Sequence, residues 1–185
     1  CNQFGIYELS EAGLSPNKYY EDWLEIAKET TTHLGEKIQV NFLTAPAEEF
    51  TGKGSYGLVD GTRGYKDFNI NWIGWYGTNP EIELMTKNVK FNQIKINFLN
   101  DQRHWIFLPK KISIYGFKKG KWNLINEKNI VTLTEDYIVT TSQIEIQDNK
   151  FNTFEKIKVV VKNQDDLPAC RKRKNKKPMV MIDEI

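Results

Sequence analysis

The sequence predicts an all-β protein, an antiparallel β-sandwich of jelly-roll type with one short helix near its N-terminus. Three observations carry that reading. From Lys37 onward, apolar and polar residues alternate in short runs, as a half-buried strand requires. Turn-forming clusters separate the runs: "KKGK" at 118–121, "QDNK" at 147–150 and "NQDD" at 163–166. After residue 37 no further helical pattern of useful length interrupts them, which argues against parallel βαβ units.

Residues 1–14 carry no period. The spacing predicts a helix over 15–34. Ser15 suits its cap and Pro16 its first position. Tyr19, Tyr20, Trp23, Leu24 and Ala27 form one apolar stripe, and Gly35 suits the stop. Residues 1–36 therefore read as a linker or appendage, and 37–185 as the sandwich. Its strands are expected at "IQVNFLT" (38–44), "PEIELM" (80–85), "QIKINFL" (93–99), "KISIYGF" (111–117), "KWNLI" (121–125), "DYIVTTSQIEI" (136–146), "EKIKVVV" (155–161) and "PMVMIDEI" (178–185).

A chain of 185 residues, 39% apolar and 27% charged, has the composition of a globular protein with a sizeable core. Its formal charge of +2 does not imply steering toward nucleic acid, so no nucleic-acid partner is expected. The longest apolar runs, such as "WIFLP", are far too short to span a membrane as a helix. The two cysteines, Cys1 and Cys170, make neither a disulfide framework nor a CxxC metal pattern. Cys1 fits two readings: the lipidated first residue of a mature bacterial lipoprotein, or an ordinary thiol at a boundary inside a longer protein.

Enzymatic chemistry finds no footing. The two histidines, His33 and His104, lie in no GxSxG context. Zinc would need more His or Cys ligands than the chain supplies in any one pattern, and there is no P-loop or GxGxxG. A binding module is the expectation, and three features bear on what it binds.

The first is "LVDGTRG" (58–64). Asp60, Thr62 and carbonyls freed by the glycines suit a hard cation such as calcium. They equally suit a plain turn in which Asp60 bonds its own backbone. The second is aromatic: Tyr65, Trp72, Trp75 and Tyr76, followed by "DQRHWIFLP" (101–109) with Arg103, His104 and Trp105. Aromatic faces suit the C–H faces of a sugar ring, and Arg and His suit its hydroxyls. Trp72 and Trp105 also suit the core, whereas Trp75, Tyr76, Arg103 and His104 lie nearer the expected loop centres. The third is "RKRKNKKP" (171–178), either a solvated loop or a contact for an anionic glycan, lipid headgroup or nucleic acid.

The order of these parts adds a resemblance. "LVDGTRG", W-x-G-W at 72–75, "IELMTKNVKFNQIKINFL", "HWIFLPKKISIYGFKKGKWNLI" and the terminal "MVMIDEI" resemble the discoidin, or F5/8 type C, family. The likeness is strongest to bacterial carbohydrate-binding modules, including those appended to β-hexosaminidase-like glycoside hydrolases. It covers about residues 37–185, and it implies a galactose-binding-domain-like jelly roll with its two chain ends close together. It also implies a structural calcium at Asp60 and Thr62, joined by Glu184. The insertion in "GTRGYKDFNINW" loosens the family spacing, so Asp67 could replace or join those ligands. The "LPACRKRKNKKP" stretch departs from the Cys-Pro and Trp-His pattern of the hexosaminidase-linked relatives.

Ligands of such modules bind at loops on one end of the sandwich, which implies roles for Tyr65, Trp75, Tyr76, Arg103, His104 and Trp105. The expected function is a non-catalytic carbohydrate-binding module. It would be exported to a bacterial surface or periplasm, and a catalytic domain of the same longer protein is an expected partner. Two alternatives stand beside it: an adhesion domain contacting protein, anionic membrane or anionic glycan through its loops, and a structural spacer.

Overall fold

The computed structural model describes residues 34–132, 137–169 and 172–185. The helix expected over 15–34 lies outside them except for Leu34, as do Cys1, His33, Cys170 and Arg171. Leu34 opens a 3-10 turn, Leu34–Lys37.

Nine strands follow: β1 (Gln39–Phe42), β2 (Ile73–Tyr76), β3 (Glu81–Met85), β4 (Gln93–Asn100), β5 (Lys111–Lys118), β6 (Lys121–Asn129), β7 (Thr140–Gln147), β8 (Lys156–Lys162) and β9 (Met179–Glu184). They form two antiparallel sheets, ordered β1-β3-β8-β5-β6 and β2-β9-β4-β7. Eight strands fall where the period-two runs predict them. β2 does not, because "IGWY" was read as part of a loop.

The core lies between the sheets. Val40, Ile82, Leu84, Ile112, Ile114, Ile157, Val159 and Val161 face it from one sheet. Ile73, Trp75, Ile94, Ile96, Phe98, Ile144, Ile146, Val180 and Ile182 face it from the other. Burial of each large apolar side chain contributes roughly 1.5–3 kcal/mol, which is why alternation dictates the register.

β9 departs from alternation: all six of its residues are buried. Val180 and Ile182 point into the core, while Met179 and Met181 point outward into a second cluster with Trp72, Leu99 and Ile106. Phe50 and Phe68 pack on that cluster. The long stretch between Asp60 and Trp72 thus lies over the outer face of the four-stranded sheet. The apolar reading "MVMI" is the trace this double burial leaves in the sequence.

Candidate functional site

β4 ends at Asn100, and the chain turns back at once. Asp101 and Ile106 pair across the turn, each N–H donating 3.1 Å to the other's carbonyl. The four residues between them form a tight loop, Gln102 to Trp105. Trp105 closes it in the left-handed region at φ 62°. Its carbonyl accepts the N–H of Met179 at 2.8 Å, which locks the loop to the start of β9.

Inside the loop Asp101 is only 3% exposed. One carboxylate oxygen lies 2.6 Å from His104 Nδ1, and the other lies 3.5 Å from Arg103 Nε. A carboxylate only accepts, so Nδ1 carries the proton of that bond, and Nε2 is left as the outward nitrogen. Arg103 and His104 are themselves half in solvent. A buried anion therefore aims two exposed nitrogen-rich side chains, which is a pre-organised donor pair rather than a floppy surface charge.

Aromatic surface surrounds the pair. The Phe68 ring stands 4.7 Å from the His104 ring, and Phe50 supports Phe68 at 6.1 Å. Trp105 is half-buried. Tyr76 ends β2 at 37% exposure, and its hydroxyl accepts the Lys177 N–H at 2.9 Å. Aromatic faces beside fixed donors suit a ligand with apolar faces and polar edges.

One expected ligand residue requires correction. Trp75 is 0% exposed. It pairs with Val180 in the middle of β2, its ring meets Phe42 edge-on at 5.5 Å, and its indole N–H donates 3.0 Å to the Thr44 carbonyl. The period of a strand puts Ile73 and Trp75 inside and Tyr76 outside, so Trp75 is core. Tyr65 is half-buried, and its carbonyl accepts the Trp72 indole N–H at 2.7 Å. Trp72 is buried, as its core reading required. The expected meeting of the 65–76 and 103–104 segments does occur, but through Phe68.

The other end of the four-stranded sheet holds the Asp-Gly turn. Gly61 sits at φ 74°, and Asp60 Oδ1 accepts the Thr62 N–H at 2.9 Å, so the plain-turn geometry is present. Asp60 Oδ2 meets the Lys53 ammonium at 2.5 Å. Glu184 Oε1 accepts the Gly61 N–H at 3.3 Å. Asp60, Thr62 and Asn71 border a small void of about 10 Å³ with Lys53. Asp67 does not border it and instead accepts both N–H groups of Asn69 at 2.9 Å. Among the described residues, no three His, Cys, Asp or Glu side chains gather as a metal cage. The oxygens of Asp60 and Thr62 suit a hard cation, and in this arrangement Lys53 supplies the positive charge.

Beside them two carboxyls are buried at the end of β9. Asp183 accepts the Gly64 N–H and, at 2.9 Å, the Asn97 amide, while its Oδ1 has no hydrogen-bond partner. Burial pushes its carboxyl up to about 7. Burial does the same to Glu184, also to about 7, with the charge of Asp60 adding to it. A cleft of about 590 Å³ opens at this end between Leu34, Phe91 and Ile185. It lies at the Gln93 end of β4, seven residue steps or roughly 24 Å from the Asn100 end that carries Arg103 and His104. It also brings Leu34 and Ile185 together, as the resemblance implies for the two ends of the sandwich. Its size reflects the junction of the chain ends, and the donor pair lies elsewhere.

No family model and no curated protein matches the chain. Solved structures do. The chains it superposes on include family 32 carbohydrate-binding modules. One is the module of C. perfringens NanJ in complex with galactose, at 15% identity, covering 81% of this chain and 92% of that one, with a TM-score of 0.43. A second, GH31 CBM32-2 bound to GalNAc, has the same identity and score over 80% and 93%. A third is the Ruminococcus gnavus GH29 fucosidase E1_10125 in complex with fucose. It covers 90% of this chain but 28% of that one, at 14% identity and a TM-score of 0.43. These scores are too low to carry a reading of the site, which stands on this chain's own residues.

Phe68 was the residue sequence reasoning passed over. It lies in the inserted "GTRGYKDFNINW", between Tyr65 and Trp72. Asp101 was passed over as well. The available signal was its spacing: an acid two and three residues before Arg103 and His104, at the end of an apolar strand.

Proposed function

We propose that the chain is a non-catalytic carbohydrate-binding module. Arg103 and His104 would donate to and accept from sugar hydroxyls, and Phe68, Trp105 and Tyr76 would cover apolar ring faces. The observation that carries this is the buried Asp101 carboxylate, which fixes His104 and Arg103 beside the Phe68 ring. The site is shallow, so affinity for a single sugar is weak and grows with multivalent display. A glycan array followed by calorimetry tests it. Arg103→Ala and His104→Ala should each weaken binding by about tenfold, the loss expected for one charge-assisted or well-oriented bond. Undiminished binding in both variants would remove the site assignment.

The motif resemblance further supports an exported module at a bacterial surface, carried by a longer protein with a glycoside hydrolase domain. No helix of the described residues is long and apolar enough to cross a membrane. The sequence encoded upstream of Cys1 decides this part: a lipobox would place a lipid anchor on Cys1, and a hydrolase domain would make the chain its accessory. A calcium ion completes the proposal. It would take the place of the Lys53 ammonium, with Asp60 and Thr62 as ligands and Glu184 alongside, and Asp67 would have no part. Chelation should then lower the melting temperature, because a cation that binds only the folded state stabilises it. A melting temperature indifferent to chelator and to excess calcium would leave Lys53 as the sole cation there.

A further inference from the structure

The basic loop is the one feature of the sequence that a neutral-sugar site does not use. Six of the seven residues from 171 to 177 are Lys or Arg, in a chain whose formal charge is only +2. The fold carries this loop to the candidate site. The Lys176 ammonium lies 5.4 Å over the Trp105 ring, next in sequence to His104. Lys177 donates its N–H to the Tyr76 hydroxyl. Its stem lies across Gly77, so close that a Cβ there would meet Lys177 Cδ at 2.3 Å. Gly77 in turn donates to the Pro178 carbonyl at 2.8 Å, and Met179 to that of Trp105. Lys176 thus lies on the ring of Trp105, and Lys177 is bonded to Tyr76.

Nearby cations elsewhere are neutralised. Lys110 and Lys162 share Asp165, and Lys172 pairs with Asp166. Arg173, Lys174, Lys176 and Lys177 have no carboxylate partner among the described residues, and all four are exposed. Asp101 is buried and already committed to Arg103 and His104. Among the described residues none of these four cations is answered by an ion pair, and Lys176 brings that charge to Trp105.

We infer that this site takes an acidic glycan, one whose sugars bear a carboxylate or sulfate, with Lys176 and Lys177 meeting the anionic group beside Arg103. The inference rests on the glycan-binding reading and goes beyond it in naming the ligand's charge. A polyhydroxylated ring needs donors and an apolar face, and Arg103, His104 and Phe68 supply those. Lys176 over Trp105 and Lys177 at Tyr76 add positive charge beside them that an anion on the ligand would answer.

Calorimetry with matched ligands tests it: a galactose oligomer, a galacturonate oligomer and a sulfated galactose oligomer, at low and high salt. Wild type and the double variant Lys176→Gln with Lys177→Gln would be compared. Glutamine keeps the stems, and both sites are exposed, so folding is retained and an unchanged melting temperature verifies it. The acidic oligomers should bind about tenfold more tightly than the neutral one at low salt, and the advantage should shrink as salt screens it. The double variant should lose that advantage and keep neutral-sugar binding. Carboxylate and sulfate arms show which anion is preferred. Equal binding of neutral and acidic oligomers, unmoved by the double variant, would overturn this inference and leave the module reading intact. No binding of any oligomer would overturn both. Anionic liposomes or single-stranded DNA binding as tightly as the acidic oligomers, with the same loss in the variant, would overturn it in favour of a general polyanion surface.

Discussion

Two aspartates are buried in this molecule at opposite ends of the same sheet, and they are used in opposite ways. Asp101, at the Asn100 end, holds two nitrogen-rich side chains: His104 at 2.6 Å and the Arg103 guanidinium at 3.5 Å. Asp183, at the far end of β9, is hydrogen-bonded only by the Gly64 N–H and the Asn97 amide, with Arg63 as the nearby positive charge. The first end is open and its cations reach solvent. The second is roofed by the 60–72 segment. A buried carboxylate that holds exposed cations organises a surface. One that holds only N–H groups shuts a loop down on a sheet, and its burial pushes its carboxyl up to about 7. Recognition and closure draw on the same residue type, and the partners decide which results.

The closed end breaks most easily. Gly64 has no room for a side chain, since a Cβ there would meet the Trp72 indole at 2.3 Å. Gly64→Ala should cost about 3 kcal/mol, because either the ring or the loop must move and both are packed. Urea denaturation reads this directly. A loss below about 0.5 kcal/mol would mean that the roof is not seated on the sheet.

Next in size is the pH response of that end, measured in chelator so that no bound cation contributes. Asp183 moves from 3.8 to about 7 on folding. The folded state thus holds the proton more tightly, so stability is fully present below about pH 4 and is lost as pH rises toward 7. Glu184 is raised from 4.5 to about 7 and acts in the same direction. The melting temperature should climb on going from about pH 8 to about pH 5, a gain on the order of 2 kcal/mol. Asp183→Asn should flatten the climb, leaving the share that belongs to Glu184. A variant with the wild-type profile would show that Asp183 is not the group responsible.

The open end should respond in binding more than in stability. Asp101→Asn keeps the shape but removes the charge that orients Arg103 and His104. Sugar affinity should fall about tenfold while the melting temperature moves little, since the loop is also held by its Asp101–Ile106 backbone pair. Heteronuclear NMR of His104 supplies a second readout. Its Nδ1 proton should lose the chemical shift typical of a bond to a carboxylate, and a purely structural role for Asp101 would leave that signal in place.

How much of this was legible in the chain differs between the two ends for physical reasons. Eight strands were readable because one buried face imposes period two, and a slip of one residue would turn it outward. β2 was not, since "IGWY" is short, apolar on nearly every residue, and has one glycine inside it and another after it, which reads equally well as a loop. That single misreading put Trp75 in the site. The Arg103–His104 pair was legible because two nitrogen-rich side chains between strands have little reason to be buried. Phe68 and the roof were not, because a segment without period gives no signal of which sheet face it will cover. The arrival of Lys176 at Trp105 spans some 70 residues of sequence, and it is the parallel bridge between Ile106 and Met179 that brings them together.

The smallest expected effect sits at the Asp60 turn, where the two ends differ in a way that substitution can reverse. Lys53 is half-exposed, yet its partner Asp60 is 5% exposed in its side chain, so the pair is neither a surface nor a buried bridge. Lys53→Met removes the ammonium and leaves Asp60 its Thr62 bond alone. In chelator the cost should be about 1 kcal/mol, between that of an exposed pair and that of a stranded buried acceptor. Added calcium should then recover more stability in the variant than in wild type, because the oxygens of Asp60 and Thr62 would no longer face a competing cation. Equal calcium responses would mean that Lys53 does not occupy the cation's place. A variant as stable as wild type without calcium would mean that Asp60 needs no cation at all, and that the closed end is held by its backbone bonds alone.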